Sequence, residues 1–554
     1  MEFRLIESYH KVFENSAVAD YAAIPAKRSA LKNDVFAFGA ALSSQTDTTV
    51  FVKVECALPV SVRAVASVYA RHPCYPQVTD PDYLNDKKPG YYPDLLLPLG
   101  ENGKLDIKSG VTASLWLEAD IAADTPAGDH PVAVSLTDND GKVIETRGFT
   151  LTVIDAVLPK QTLKFTEWFH CDCLASYYCI DPMSERHWEI IENFARTAVK
   201  NGINMLYTPL FTPALDTEIG GERPTFQLLG VTKNGKEYSF DFTLVDRWLA
   251  MCDRVGVEYY EICHLFTQWG AAHAPKIMAT ADGVYKKLFG WETDSLSEEY
   301  VGFLRAFLTA FKAYMKQRGR LDRCMFHMSD EPSPDALPHY RKLREALADL
   351  FADVTCGDAI SHYEFYESGA ISNPIVAIDA IDPFLGNHVP NLWGYYCCSQ
   401  HTNVSNRFLA MPMNRTRVIG TQLFKYNIAG FLQWGYNFYY SCHSRHVIDP
   451  YTRNDGDFGN PGQIWVPAGD PFSVYPAPDG TAYETLRIKG FTEALHDLRA
   501  LDLLASLIGH DKTVALIEDE GKMPFTFAAY CRDADFCARL RERVNRAIAE
   551  QIGK

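Results

Sequence analysis

Between residues 35 and 155 apolar and polar positions alternate in short runs, "TTVFVKVECAL", "VSVRAVASVYA", "TASLWLEADI" and "HPVAVSLTDNDGKVIETRGFTLTVI", with turn residues between them. A period of two sends successive side chains to opposite faces, so each run presents one apolar face to a core. This predicts an N-terminal antiparallel β-sandwich, residues 1–158, ending near "DAVLPKQT". "DNDG", flanked by two alternating runs, marks a hairpin.

Past residue 160 the rhythm changes. Short apolar runs now alternate with stretches whose apolar residues recur every three to four positions, the pattern of parallel βα units. Eight runs read as strands: "LKFTEWFH", "INMLYTPLF", "EYYEICHLF", "RCMFHMS", "DVTCGDA", "PIVAIDA", "NLWGYYCC" and "IAGFLQWGYNFYY". Helices fall between several of them, in "SERHWEIIENFARTAVKNG", "TLVDRWLAMCDRVG", "SEEYVGFLRAFLTAFKAYMKQRG" and "PDALPHYRKLREALADLF". The first three end in Gly with Lys or Arg close by, a stop signal that the fourth lacks. Eight units across residues 159–480 fit a (β/α)8 barrel of the TIM type, with "FQLLGVTKNGKEYSF" and "HAPKIMATADGVYKKLFGWET" as insertions. Residues 481–554 form a helical region, "YETLRIKGFTEALHDLRALDLLASL" and "ADFCARLRERVNRAIAEQ", whose first helix serves as the eighth barrel helix. The fold class is α/β, a TIM-like barrel preceded by the sandwich.

Composition adjusts this picture in a few places. At 554 residues the chain exceeds one ordinary core, in keeping with a sandwich plus a barrel. Its 53 Lys and Arg against 70 Asp and Glu leave a net charge of −17 without a basic cluster, which argues against nucleic acid as a partner. There is no run of about 18 apolar residues, so no membrane span is expected. The N-terminal "MEFRLIESYHKVFENS" lacks the pattern of a secretory signal, so a cytoplasmic location is expected. For such a chain the 14 cysteines read as reduced, mostly buried thiols, Cys397 and Cys398 included. Cys171, Cys173 and Cys179 in "CDCLASYYC" lack a second matching pair, and no metal or other cofactor is expected.

The chemistry concentrates in "RCMFHMSDEPSP", where an apolar strand runs into Asp330 and Glu331. In a βα barrel catalytic groups sit at the C-terminal ends of strands, and these carboxylates fall at the end of the fourth. Acidic side chains at a helix start have a second, lesser reading as partners of the helix dipole in "SDEPSPDAL". The other strand ends weigh toward chemistry. They supply His264, Trp393, Tyr395, Trp434 and Asn437, aromatic walls with a few polar groups, which suit a sugar ring.

"MSDEP" after an apolar strand, "LWGYYCC", "IAGFLQWGYNFY" and "YETLRIKGFTEALHDL", in that order, resemble glycoside hydrolase family 123, the β-N-acetylgalactosaminidases, and uncharacterised proteins around it. The resemblance covers the barrel with its last helix and, more loosely, the sandwich. It implies an exo-acting, retaining, substrate-assisted hydrolysis of an oligosaccharide or glycoconjugate. The acetamido oxygen of the substrate is the nucleophile, an exception to the usual two-carboxylate scheme. By the resemblance Asp330 orients the acetamido group, and Glu331 is general acid and then base. Tyr395 hydrogen-bonds the acetamido oxygen, and Trp434 walls the subsite. Gly394, where family members often carry an aromatic, and "FTEALHDL", less charged than the family's helix, depart from the pattern and bear on the choice of sugar.

Two other readings stay open. A glycosidase acting on a sugar without the acetamido group needs a second carboxylate from another strand end, such as Glu167 or Asp382, because adjacent residues do not readily flank a bond from two sides. A carbohydrate-binding protein could keep the same scaffold without turnover. The C4 configuration of the sugar, the aglycone and the oligomeric state are not encoded in this pattern.

Overall fold

A computed structural model of the chain describes residues 1–460 and 462–553. The alternating N-terminal runs form two five-stranded sheets. In spatial order the first is Glu2–Glu7, Asp34–Ser43, Thr112–Ile121, Val60–Ala70 and Gly90–Pro98; the second is Lys27–Lys32, Val143–Val157, Gly128–Thr137, Thr48–Glu55 and Lys104–Ile107. Phe38, Leu42, Leu115 and Leu117 of one meet Val50, Val132, Val134 and Leu151 of the other in a single core. Pairing is antiparallel except where Lys27–Lys32 lies parallel to Val143–Val157, a pairing that needs the long chain between them. The hairpin expected at "DNDG" closes through Asp138 N–H to Lys142 O (2.9 Å) and Gly141 N–H to Asp138 O (3.0 Å). The sheets also include Glu2–Glu7 and Lys27–Lys32, upstream of the run of alternation.

The barrel strands are β1 (Lys164–Glu167), β2 (Met205–Thr208), β3 (Tyr259–Ile262), β4 (Cys324–Phe326), β5 (Thr355–Ile360), β6 (Asn373–Ala377), β7 (Trp393–Tyr396) and β8 (Gly430–Gln433). Six lie within the expected runs, and β5 and β6 each extend one residue beyond theirs, at Ile360 and Asn373. They pair in parallel in the order β1, β8, β7, β6, β5, β4, β3, β2. Only β1 and β2 lack a ladder, and Asn204 bridges that seam. Its Oδ1 accepts from Phe165 N–H (2.8 Å), its N–H reaches Phe165 O (3.2 Å) and its Nδ2 reaches Leu163 O (3.1 Å).

The two insertions join. Glu237–Asp241, Gly230–Asn234, Ile277–Ala281 and Val284–Phe289 form one four-stranded sheet, tied by Thr232 opposite Thr280 and Lys233 opposite Ala281. It packs through Phe240 on Phe303 and Phe307 of the helix Glu298–Gln317. The stretch without a stop signal breaks into a turn at Pro334–Ala336 and helices Leu337–Ala346 and Ala348–Phe351. A further helix, His510–Gly521, precedes the last one, Phe536–Ile552.

Helix Leu486–Ile508 takes the eighth helical position: Phe491 stacks on Phe165 of β1 (4.2 Å) and meets Phe431 of β8 (5.4 Å). It lies so close to helix Ile419–Lys425 that a Cβ on Gly420 would stand 2.1 Å from Ala494 O. Gly420→Ala should therefore destabilise the protein by about 2–3 kcal/mol in denaturant titrations. Gly302→Ala, in a helix with nothing near its added methyl, should instead stabilise by about 0.5–1 kcal/mol.

Candidate active site

Strand β4 ends at Phe326, and the next residues turn over the barrel mouth. Asp358 of β5 fixes this turn: its Oδ1 accepts the N–H groups of Met328 (2.8 Å) and Ser329 (3.1 Å), and its other oxygen accepts from Tyr340 Oη. Ser329 Oγ donates to Thr267 O (2.8 Å), Asp330 O accepts Trp269 N–H (2.8 Å) and Glu331 N–H reaches Ala359 O (3.2 Å). Glu331 has φ 39°, a left-handed value that a side-chain-bearing residue holds only when its surroundings enforce it. The turn departs from strand alternation, and the two neighbouring carboxylates share one cup.

Glu331 Oε1 accepts from Tyr395 Oη at 2.6 Å. Asp330's carboxylate receives no hydrogen bond among the described residues. Glu331 opens to solvent at the mouth while protein encloses its other sides. That enclosure raises its pKa and Asp379 adds to the rise, with the Tyr395 hydroxyl pulling back. Asp330 lies deeper and is held well above the usual carboxylate range, by burial first and then by the charges of Glu331 and Asp216.

Beneath the pair lies a buried polar network. His327 Nε2 is 2.7 Å from Glu261 Oε1, and its Nδ1 is 3.5 Å from Asp358 Oδ1. Burial alone would lower the His327 pKa, but Asp358 and Glu261 outweigh it and push it up to about 10, so an imidazolium sits under the cup. Glu261 also accepts from Trp168 Nε1 (2.8 Å) and Thr166 Oγ1. His264 stacks on His327 with centroids 4.6 Å apart, accepts or donates through Nδ1 to Tyr207 Oη (3.1 Å) and is kept neutral by burial and by His327. It thus belongs to the floor of the barrel, its buried Nε2 without a partner among the described residues.

Trp434 directly follows β8 on the mouth side, 8% exposed, its Nε1 donating to Asp470 Oδ2 (2.9 Å) and its ring against Phe438 and Trp465. The sandwich buttresses this cluster through Tyr75 Oη to Trp465 O (2.8 Å). Burial raises Asp470 to about 6 and Asp216 to about 7, Arg407 and Arg223 respectively opposing. Asp216, Asp379 and Asp470 were not singled out from the sequence; Asp379, in "VAIDAID" directly after β6, had a strand-end signal.

Two expected residues lie elsewhere. Trp393 is the first residue of β7, at the N-terminal end of the barrel, where its indole fills the space left by Gly430 and lines a cavity of about 510 Å³ far from the mouth. Its run was read as a strand end, but the three remaining residues of the strand separate it from the mouth side. Asn437 spends both ends of its amide on His170, accepting its N–H (2.8 Å) and donating to its carbonyl (3.1 Å), and so fastens main chain. Gly394 abuts Ile378 and Phe431, so its departure from the family pattern concerns packing between strand and neighbours. Glu167 is engaged by Ser473 Oγ (2.5 Å), with Arg407 at 3.8 Å, and Asp382 is exposed in the first turn of helix Asp382–Gly386. Cys171 and Cys173 are buried in helix Cys171–Tyr177, and among the described residues no group of His, Cys, Asp or Glu is arranged to hold a metal. No helix there is long and apolar enough to cross a membrane.

A parallel eight-stranded barrel with two carboxylates and aromatic walls at its C-terminal mouth is the architecture of a glycoside hydrolase. The family model for the glycoside hydrolase 123 catalytic domain matches residues 168–504, and the chain belongs to that family. A family 123 glycoside hydrolase from Clostridium perfringens, solved to detail glycolipid glycan hydrolysis, superposes with a TM-score of 0.73 at 16% identity, covering 100% of this chain and 98% of that one. A β-glucuronidase from Parabacteroides merdae aligns at 8% identity with a TM-score of 0.29, over 84% of this chain and 50% of that one. No curated protein matches. The protein is therefore a glycoside hydrolase with a carbohydrate substrate.

Folding raises the Asp330 pKa, so the stability this group contributes is present in acid, below its unfolded value, and is lost as pH climbs toward the folded value. Asp330→Asn should melt above wild type, by about 1–3 °C at neutral pH, with the gap widening from pH 4 to pH 8 in calorimetry. A gap that is constant or negative contradicts the assignment.

Proposed function

We propose that the protein is an exo-acting β-N-acetylgalactosaminidase working by substrate-assisted retention. The observation that supports this most is the pairing of Glu331, hydrogen-bonded to Tyr395 at 2.6 Å, with a neighbouring Asp330 whose carboxyl is free to meet a ligand donor. One sugar enters the closed-floored cup as a chain end. Its acetamido oxygen attacks C1, the bond from C1 to the leaving oxygen breaks, and Glu331 gives that oxygen its proton. Asp330 accepts the acetamido N–H and balances the positive charge that develops on the oxazolinium ring. Water then attacks C1 from the vacated side, Glu331 takes its proton, and the acetamido group reopens with configuration retained.

The pKa directions refine the roles. Burial raises both carboxyls, and the charge of Glu331 adds to the rise at Asp330. An acetamido N–H donated to Asp330 favours its ionised form, which leaves the shared proton to Glu331, where the leaving group needs it. A sugar without that N–H does not trigger the transfer.

Para-nitrophenyl β-N-acetylgalactosaminide, its gluco epimer and its non-acetamido counterpart separate the readings. Release only from the acetamido sugars, falling by about 100-fold or more in Asp330→Asn and Glu331→Gln, is expected. Release from the non-acetamido sugar, or full activity in either variant, refutes the proposal, and binding without turnover would make this a lectin-like member. Tyr395→Phe should lower kcat/KM by about tenfold or more. Because the hydroxyl holds Glu331 down, its loss should also move the basic limb of the pH profile to higher pH, and an unmoved limb would detach Tyr395 from the general acid.

A further inference from the structure

The loops after β2, β3 and β8 meet beside the catalytic turn. Asp216, Trp269, Ala271, His443 and Ser444 there have φ of 47°, 58°, 59°, 58° and 56°, left-handed values for residues that carry side chains. They are held by reciprocal ties. Asp216 N–H donates to Gln268 Oε1 and its carbonyl accepts from Ser444 Oγ (2.7 Å). Gln268 Nε2 reaches Thr217 O (3.2 Å), Glu218 N–H reaches His443 O (3.0 Å), and Trp269 N–H is bound to Asp330 O. The loops are therefore fixed relative to the catalytic turn.

This rim presents two groups to which the hydrolysis above assigns no contact with substrate. The Trp269 indole is 44% exposed, unusual for so large a ring, and meets His443 edge-on at 5.8 Å. The Asp216 carboxylate receives no hydrogen bond among the described residues. We propose that Trp269 and Asp216 form a subsite for the leaving-group sugar, the indole face stacking on its C–H face and the carboxylate accepting its hydroxyls. This rests on the glycosidase reading above.

Depth assigns the subsite to the leaving group. Tyr395 and Trp434, 3% and 8% exposed, enclose the ring being cleaved. Glu331, which must reach the leaving oxygen, faces the open mouth. The leaving group consequently projects outward, along the rim where Trp269 stands. A flat exposed aromatic beside an acceptor recognises a pyranose by stacking and by hydroxyl donation, and it tolerates varied sugars.

The test is the ratio of kcat/KM for a disaccharide with N-acetylgalactosamine β-linked to galactose over that for methyl β-N-acetylgalactosaminide. Trp269→Ala should lower this ratio by about tenfold, Trp269→Phe should recover most of it, and Asp216→Asn should lower it as well. A ratio equal to wild type in Trp269→Ala, with both substrates affected alike, overturns the proposal. Should wild type cleave neither substrate, the function reading has failed, and the subsite is then read by calorimetric binding of the disaccharide and of free N-acetylgalactosamine to Glu331→Gln. Weaker disaccharide binding on adding Trp269→Ala supports the subsite; affinities that do not change overturn it.

Discussion

The His327 imidazolium, enclosed between Glu261 and Asp358, is the interaction on which the site depends. A buried cation is tolerated only with compensating anions, and here the anions also do other work. Asp358 holds the N–H groups of Met328 and Ser329 and so sets the start of the turn that carries Asp330 and Glu331. Glu261 anchors Trp168 and Thr166 on β1's side of the barrel. Charge, turn and strand packing are thus one unit, and the φ of Glu331 is affordable because that unit leaves the chain no alternative.

A second buried cation links the two layers of the molecule. Arg487, at the start of helix Leu486–Ile508, pairs with Asp94 of the sandwich (Nη2 to Oδ2, 3.0 Å) and donates to the carbonyls of Gly469 (2.6 Å) and Phe472. Between those carbonyls lies Asp470, the partner of the Trp434 indole. The sandwich therefore reaches the barrel mouth through this guanidinium as well as through Tyr75, and its several fixed donors suit it to the junction better than a single ammonium would.

Much of the barrel was legible in the sequence because its strands are buried on both faces and read as short apolar runs between amphipathic helices. The turn that carries Asp330 and Glu331 was legible for the same reason: "MFHMS" is apolar until it meets "DE". Other elements were hidden by weak or misleading local signals. Strand Glu2–Glu7 is too short to show sustained alternation, and helix His510–Gly521 buries only Thr513 and Ile517. Trp393 and Tyr395 sit two residues apart on one strand face, so periodicity could not say which stood at the mouth.

What the sequence determined by itself was the architecture and the family, through hydrophobic periods and an ordered set of motifs, since these depend on residues near in the chain. Tertiary structure alone decided which groups gather at the cup and its rim. Asp216, Asp379, Asp470 and Trp269 come from different loops, and Asn437, equally plausible on paper, is consumed by His170. Tertiary structure likewise joined the two insertions into one sheet. Such pairings are fixed by folding across hundreds of residues, where hydrogen-bond partners and charge neighbours are set by space and leave no periodic trace in the chain.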